Sequence, residues 1–321
     1  MTRAYRRWAA PAAFAIALAG PGLALATEGG LGRIVQGANV QLDAGVVPNV
    51  PILATNITSI YFDGSIGASR PVPIDGELAV NLHAQLSFTP MTLLKVWNTG
   101  TGQWNFASSV TVPIIWNQVT AMVGVGDQSA QIQQSSAGVS DLYITPLIAG
   151  YHFSQTAHMA LSLGIWAPVG DYQRNSLAND GLNYWTFVPT AAFTQMVPKY
   201  GLDFTGQVAV QFNTTNTETN YHSAPLLTVD ALATKKLGKA IGLGLSVGWV
   251  EQLGRDSGAL ADRLDGFEGS SVALGPIATY NTLISGKLPF TATLRWTPTV
   301  ESRNRLSGNA VTFTASAPLP F

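Results

Sequence analysis

The chain has no cysteine in 321 residues. No disulfide can hold it, so a packed core or a closed sheet must. Charge is scarce as well: Asp, Glu, Lys and Arg make up 11%, where a soluble domain carries roughly a quarter. A surface that meets lipid needs few charges. The 17 basic residues against 18 acidic ones leave no basic excess, which excludes the concentrated positive face of a nucleic-acid binder. The four histidines, His83, His152, His158 and His222, show no close-spaced partners of the zinc-site kind, so no metal is expected. The nucleophile elbow Gly-x-Ser-x-Gly is absent, and Gly124-Val125-Gly126-Asp127 and Gly242-Leu243-Gly244 open no helix as a dinucleotide loop must. Neither an enzyme nor a bound cofactor is expected.

Long apolar runs are missing too, with one exception at the start. Arg3, Arg6 and Arg7 precede the run Ala9 to Leu25, which ends in Ala24-Leu25-Ala26. This is the layout of a secretory signal over residues 1–26. Pro11, Gly20, Pro21 and Gly22 interrupt it, and no second run of helix-spanning length follows. Without its three arginines the mature chain has 14 basic and 18 acidic residues, a net charge near −4.

What the chain does have is period-two alternation, which sends successive side chains to opposite faces of a strand. From Glu77 to Phe88 one face is Leu78, Val80, Leu82, Ala84, Leu86, Phe88 and the other Glu77, Ala79, Asn81, His83, Gln85, Ser87. The same split recurs at 158–169, 202–213 and 241–249. A soluble sandwich also alternates, so the connections must decide. Long ones near 64–76, 126–138, 170–183, 213–224, 252–268 and 300–308 alternate with short ones near 98–103, 153–157, 198–201, 236–240 and 285–288. This is the rhythm of an all-β, antiparallel transmembrane β-barrel with both termini periplasmic and an even strand count. About twelve strands result; breaks at Pro90 and near Asn117 would make fourteen. The final strand, Val311 to Phe321, ends on an aromatic residue like the signal that barrels present to the outer-membrane assembly machinery, although Pro318 and Pro320 cannot donate ladder hydrogen bonds. Trp97, Trp104, Trp116, Trp166, Tyr184, Trp185, Trp249 and Trp296 fall near strand ends, where barrels carry aromatic girdles.

Domain organisation follows: a signal at 1–26, a Gly-, Asn- and Pro-rich segment at 27–55 without alternation, and the barrel at 56–321. The middle segment is either a periplasmic extension or a plug, because irregular backbone at membrane depth is tolerated only inside protein or water.

Glu28-Gly29-Gly30, Val96-Trp97-Asn98-Thr99-Gly100 with Trp104-Asn105-Phe106-Ala107-Ser108, Ser140-Asp141-Leu142-Tyr143-Ile144-Thr145-Pro146 and Ala167-Pro168-Val169-Gly170-Asp171-Tyr172 together resemble a known family. It is that of the transporter-like outer-membrane proteins associated with the meta-pathway of phenol degradation, distantly similar to the long-chain fatty-acid channel. The resemblance implies a Gram-negative outer membrane, a lipid bilayer as partner, and passive uptake of small hydrophobic or aromatic compounds. With apolar faces toward lipid, Glu77, Asn81, His83, Gln85, Asp141, Asp203, Gln207, Gln211, Asp230 and Arg295 are expected to line the lumen. Asp141 and Arg295 lead, each an ionisable residue in a sparsely charged strand. Structural lumen pairs that anchor the N-terminal segment are the bland alternative. The rival function is a structural or adhesive surface barrel whose lumen is closed.

Overall fold

A computed structural model describes residues 32–319, apart from 67–70, 75, 101 and 126–127; the side chains of 77, 123–125, 128 and 129 are also left aside. The signal peptide, Glu28-Gly29-Gly30, the Glu77 side chain and Phe321 therefore lie outside the described residues. No helix among the described residues is long and apolar enough to cross a membrane. The chain crosses with strands.

Fourteen strands form one antiparallel sheet: β1 (Leu53–Ser65), β2 (Val72–Ile74), β3 (Glu77–Val96), β4 (Trp104–Val125), β5 (Gln128–Val139), β6 (Leu142–His152), β7 (Ala157–Ala167), β8 (Thr186–Val197), β9 (Leu202–Asn213), β10 (Leu226–Lys236), β11 (Ile241–Gln252), β12 (Ser270–Ile284), β13 (Leu288–Arg303) and β14 (Ser307–Pro318). Twelve of them close a barrel, because β1 pairs with β14 on one side and with β3 on the other, and β3 pairs on with β4. Closure removes the sheet edges that a bilayer cannot satisfy. The two extra strands, β2 and β5, are appended to β3 and β4.

The breaks at Pro90 and near Asn117 that would have made fourteen wall strands do not occur. Pro90 and Pro113 face each other across the β3–β4 ladder, and both strands run through. Each proline lacks an N–H, and each lies where the ladder on its other side lapses. Pairing of β3 with β1 skips from Met91 to Phe88, and pairing of β4 passes from β6 at Thr111 to β5 at Ile114. Proline sits in a sheet only where a donor is not required. Opposite Pro113 the chain between β5 and β6 breaks at Ser140 and Asp141, whose Ser140 amide donates to the Pro113 carbonyl at 2.9 Å. The expected long connection at 126–138 is largely strand β5, and that at 300–308 is a tight turn at 304–306.

The wall is inside out. Leu161, Leu163, Phe204, Val208, Leu243, Leu245, Leu294 and Phe313 are all more than 40% exposed, while Thr145, Thr194, Thr228, Thr279, Thr293 and Thr312 point inward and are buried. A dry exterior around a polar interior is stable only in lipid. Trp97, Trp104, Phe153 and Tyr200 stand exposed at the end with short connections, and Trp185, Phe187 and Phe212 at the other. Trp166 and Tyr184 leave the expected girdle: Tyr184 is buried, and both rings face inward over Arg33.

Above that belt the pattern inverts. On β1, β3 and β4 the inward residues become apolar, namely Phe62, Leu82, Ala84, Leu86, Val119 and Ala121. They pack under the connections that cap the barrel, against Leu177, Ala178, Phe267 and Leu306. Their outward neighbours include Asp63, Asn81, His83, Gln85, Gln118 and Thr120.

Candidate functional site: the lumen and its N-terminal segment

Residues 33–47 run inside the barrel from the end with long connections to the end with short ones, where the chain turns into β1. Their backbone forms no strand, so its polar groups must be met by wall side chains. At the top, Arg33 Nη1 donates to Asp141 Oδ2 at 2.7 Å, Nε to Thr186 Oγ1 at 2.9 Å and Nη2 to the Tyr184 carbonyl at 2.6 Å. Its guanidinium lies 5.2 Å from the Trp166 ring centre and 5.0 Å from that of Tyr184. Asp141 also accepts the Gly170 and Leu182 amides, each at 3.0 Å, and is fully buried. A buried carboxylate needs this many donors.

In the middle, Arg295 on β13 reaches the segment's backbone. Its Nη1 donates to the Gly37 carbonyl at 3.1 Å and its Nη2 to the Val40 carbonyl at 2.8 Å. Ser246 Oγ donates to the same Gly37 oxygen, and Asn39 Nδ2 donates to Asp230 Oδ2 at 3.3 Å. Gly37 has φ +75°, and a Cβ on wall residue Gly248 would collide with its backbone. Glycine at both positions lets two backbones touch. Higher up, Gln36 Nε2 donates to Thr299 Oγ1, and Arg305 Nη2 donates to the Ile34 carbonyl. Burial pushes the Arg305 guanidinium down to about 10, so it stays charged at neutral pH. At the bottom the Gly45 amide donates to Thr194 Oγ1 at 3.1 Å, and Val47 packs against Val96, Ala107 and Ala160.

The segment matches its surroundings residue by residue. Val35 and Ala38 join the apolar cluster of Ile60, Phe62 and Leu86, whereas Gln36 and Asn39 find the polar wall of β10 and β13. Asp141, Asp230 and Arg295, predicted as lumen residues, all lie here and all touch the segment. Gln211 is buried and Gln207 half-buried on the inward face of β9. Asp203 also faces inward and pairs with Lys236 at 2.9 Å.

Three expected lumen residues are elsewhere. His83 and Gln85 lie on the outer face, where His83 Nε2 and Gln85 Nε2 each meet Asp63 at 2.9 Å. His83 and Asp63 are 43% and 41% exposed. Asn81 is exposed at a bulge between Val80 and His83, with φ +52°. The reason is the inversion: this stretch rises above the lipid belt, so its leucines turn inward and its polar side chains outward.

Sequence reasoning missed Arg33, Gln36 and Asn39. A signal existed for the first, since no other Lys or Arg lies between Arg7 and Arg70. No period carries the others, because the segment has no regular structure.

Solved structures similar to this chain include outer-membrane barrels. The COG4313 outer membrane channel from Pseudomonas putida F1 matches with a TM-score of 0.67 at 15% identity, over 88% of this chain and 100% of that one. The translocator domain of autotransporter NalP from Neisseria meningitidis matches at 0.48 and 10% identity, over 87% and 92%. A Pseudomonas aeruginosa FadL homologue matches at 0.42 and 10% identity, over 93% and 99%. At 15% identity the likeness to the Pseudomonas putida channel is one of fold. No curated protein matches the chain. The molecule is an outer-membrane β-barrel of the Gram-negative type, and its residues 68–315 match the family described as "Putative MetA-pathway of phenol degradation", to which the chain belongs.

Proposed function

We propose that this barrel is a passive channel for small hydrophobic or aromatic compounds, normally occluded by its own N-terminal segment. The observation that carries the reading is the set of contacts from Asp141, Asp230, Arg295 and Thr194 to residues 33–45. A twelve-stranded wall encloses less space than the open aqueous channel of a sixteen-stranded porin, so one irregular strand is enough to fill it. Most of the segment's bonds use side-chain partners on the wall, and such bonds can be exchanged for water when it leaves. The end with short connections faces the periplasm, as short turns do in this class of barrel. The family's association with phenol degradation and the apolar inner surface around Phe62, Leu86 and Phe88 both favour an uncharged, hydrophobic substrate.

Single-channel recording in planar bilayers tests the reading. Because β1 begins at Leu53, the deletion to compare with the intact protein is residues 27–48. Small discrete openings that become larger and longer-lived on deletion are expected, together with faster uptake of a neutral aromatic into vesicles than of a sugar of equal size. Silence in both forms, with correct folding, would instead support the closed structural or adhesive barrel.

A further inference from the structure

The four histidines are dispersed in sequence, but the β6–β7 hairpin sets His152 directly opposite His158. Opposed residues of an antiparallel pair project from the same face with Cβ atoms about 5 Å apart. The two rings meet nitrogen to nitrogen, Nδ1 to Nδ1 at 2.6 Å, with their planes at 82°. At that separation a single bridging proton reconciles the two nitrogens; two lone pairs or two N–H groups would repel. The His158 ring also makes a hydrogen bond to the Gln155 backbone, the kind of outer contact that orients an imidazole ligand. His152 Nε2 is buried with no hydrogen-bond partner among the described residues. Both rings line a cavity of about 380 Å³ with Asn49, Gln103, Ser154 and Gln155. Asp43 of the threaded segment lies close enough to His158 to interact with it electrostatically, with Asp203 and Lys236 beyond.

We propose that His152 and His158 bind a late first-row divalent cation of the zinc or nickel kind at the short-connection end of the lumen. Imidazole suits these metals. The cation replaces the bridging proton: each Nδ1 gives its lone pair to the metal and the proton leaves to water. Metal–nitrogen bonds of about 2.0–2.1 Å at a tetrahedral angle place the two nitrogens roughly 3.3 Å apart, so the rings must part slightly. No group of three His, Cys, Asp or Glu side chains poised to hold a metal is gathered among the described residues. Water and the polar groups of the cavity therefore complete the shell, and the cation exchanges. Val46 and Pro48 border the same cavity, so occupancy is felt where the segment leaves the lumen for β1.

The test uses full-length mature protein without a histidine tag, treated with chelator and titrated in detergent with Ni²⁺ and Zn²⁺ by calorimetry. One equivalent per chain is expected. His152→Asn and His158→Asn should each weaken it at least tenfold, whereas His83→Asn and His222→Asn should leave it unchanged. Heat-modifiable migration on gels reports folding of every variant. If an Asn variant does not fold, wild-type binding still decides: proton and cation compete for Nδ1, so affinity must fall as pH drops through the imidazole range. A folded protein without saturable binding, a site that survives both key substitutions, or an affinity indifferent to pH would overturn the proposal.

Discussion

Strand β4 passes through two environments, and the residues on its two faces exchange character between them. From Val110 to Trp116 its outward side chains are Val110, Val112, Ile114 and Trp116, all exposed to the lipid belt. A turn of the pattern further on, Gln118 and Thr120 project from the same face while Val119 and Ala121 are buried beneath it. Below, polar wall residues meet the N-terminal segment; above, apolar ones meet the capping connections. Alternation separates two faces in both parts, but the medium decides which face is apolar.

Removing a wall residue that holds the N-terminal segment should have the largest effect. Asp141→Ala leaves Arg33 buried without its carboxylate, a change that costs roughly 3–5 kcal/mol if the segment stays in place. The segment should come away instead, seen as a marked rise in open time in bilayer recordings with the barrel still folded. In the upper part, Leu82→Ala opens a cavity in a packed cluster and should destabilise by about 2–5 kcal/mol, read by denaturant unfolding in vesicles; a loss near zero would mean that Leu82 faces lipid after all. Arginine scanning sharpens the boundary. Leu245→Arg, on the lipid face, should cost about 2–4 kcal/mol near the midplane, whereas Gln133→Arg on exposed β5 should leave the unfolding midpoint essentially unmoved. The smallest effect belongs to His83→Ala, which loses an exposed contact to Asp63 worth at most about 1 kcal/mol. Conductance should stay the same, and a change there would return His83 to the permeation path.

Much of the barrel was legible before any coordinates. Short connections near 153–157, 198–201, 236–240 and 285–288 lie where turns join the strands, because a hairpin turn and a period-two run are local properties. Pro90 left open a break that would have made fourteen wall strands, but a proline stops a strand only if its missing donor is needed, and that depends on the neighbouring strand. The lumen set divides for the same reason. Asp141 and Arg295 stood out as ionisable groups in sparsely charged strands, a signal with a physical cause, while Asp230, Asn81, His83 and Gln85 were assigned from alternation alone.

By itself, then, the sequence determined a disulfide-free, antiparallel barrel with a strand count near twelve, since low charge, alternation and turn spacing are read residue by residue. Only the tertiary structure decided which face of β3 looks inward, that Arg33 meets Asp141, and that His152 meets His158. The first two depend on closure of the sheet, which brings together groups that no local pattern links; the third depends on the register of the β6–β7 hairpin, of which only the turn was legible.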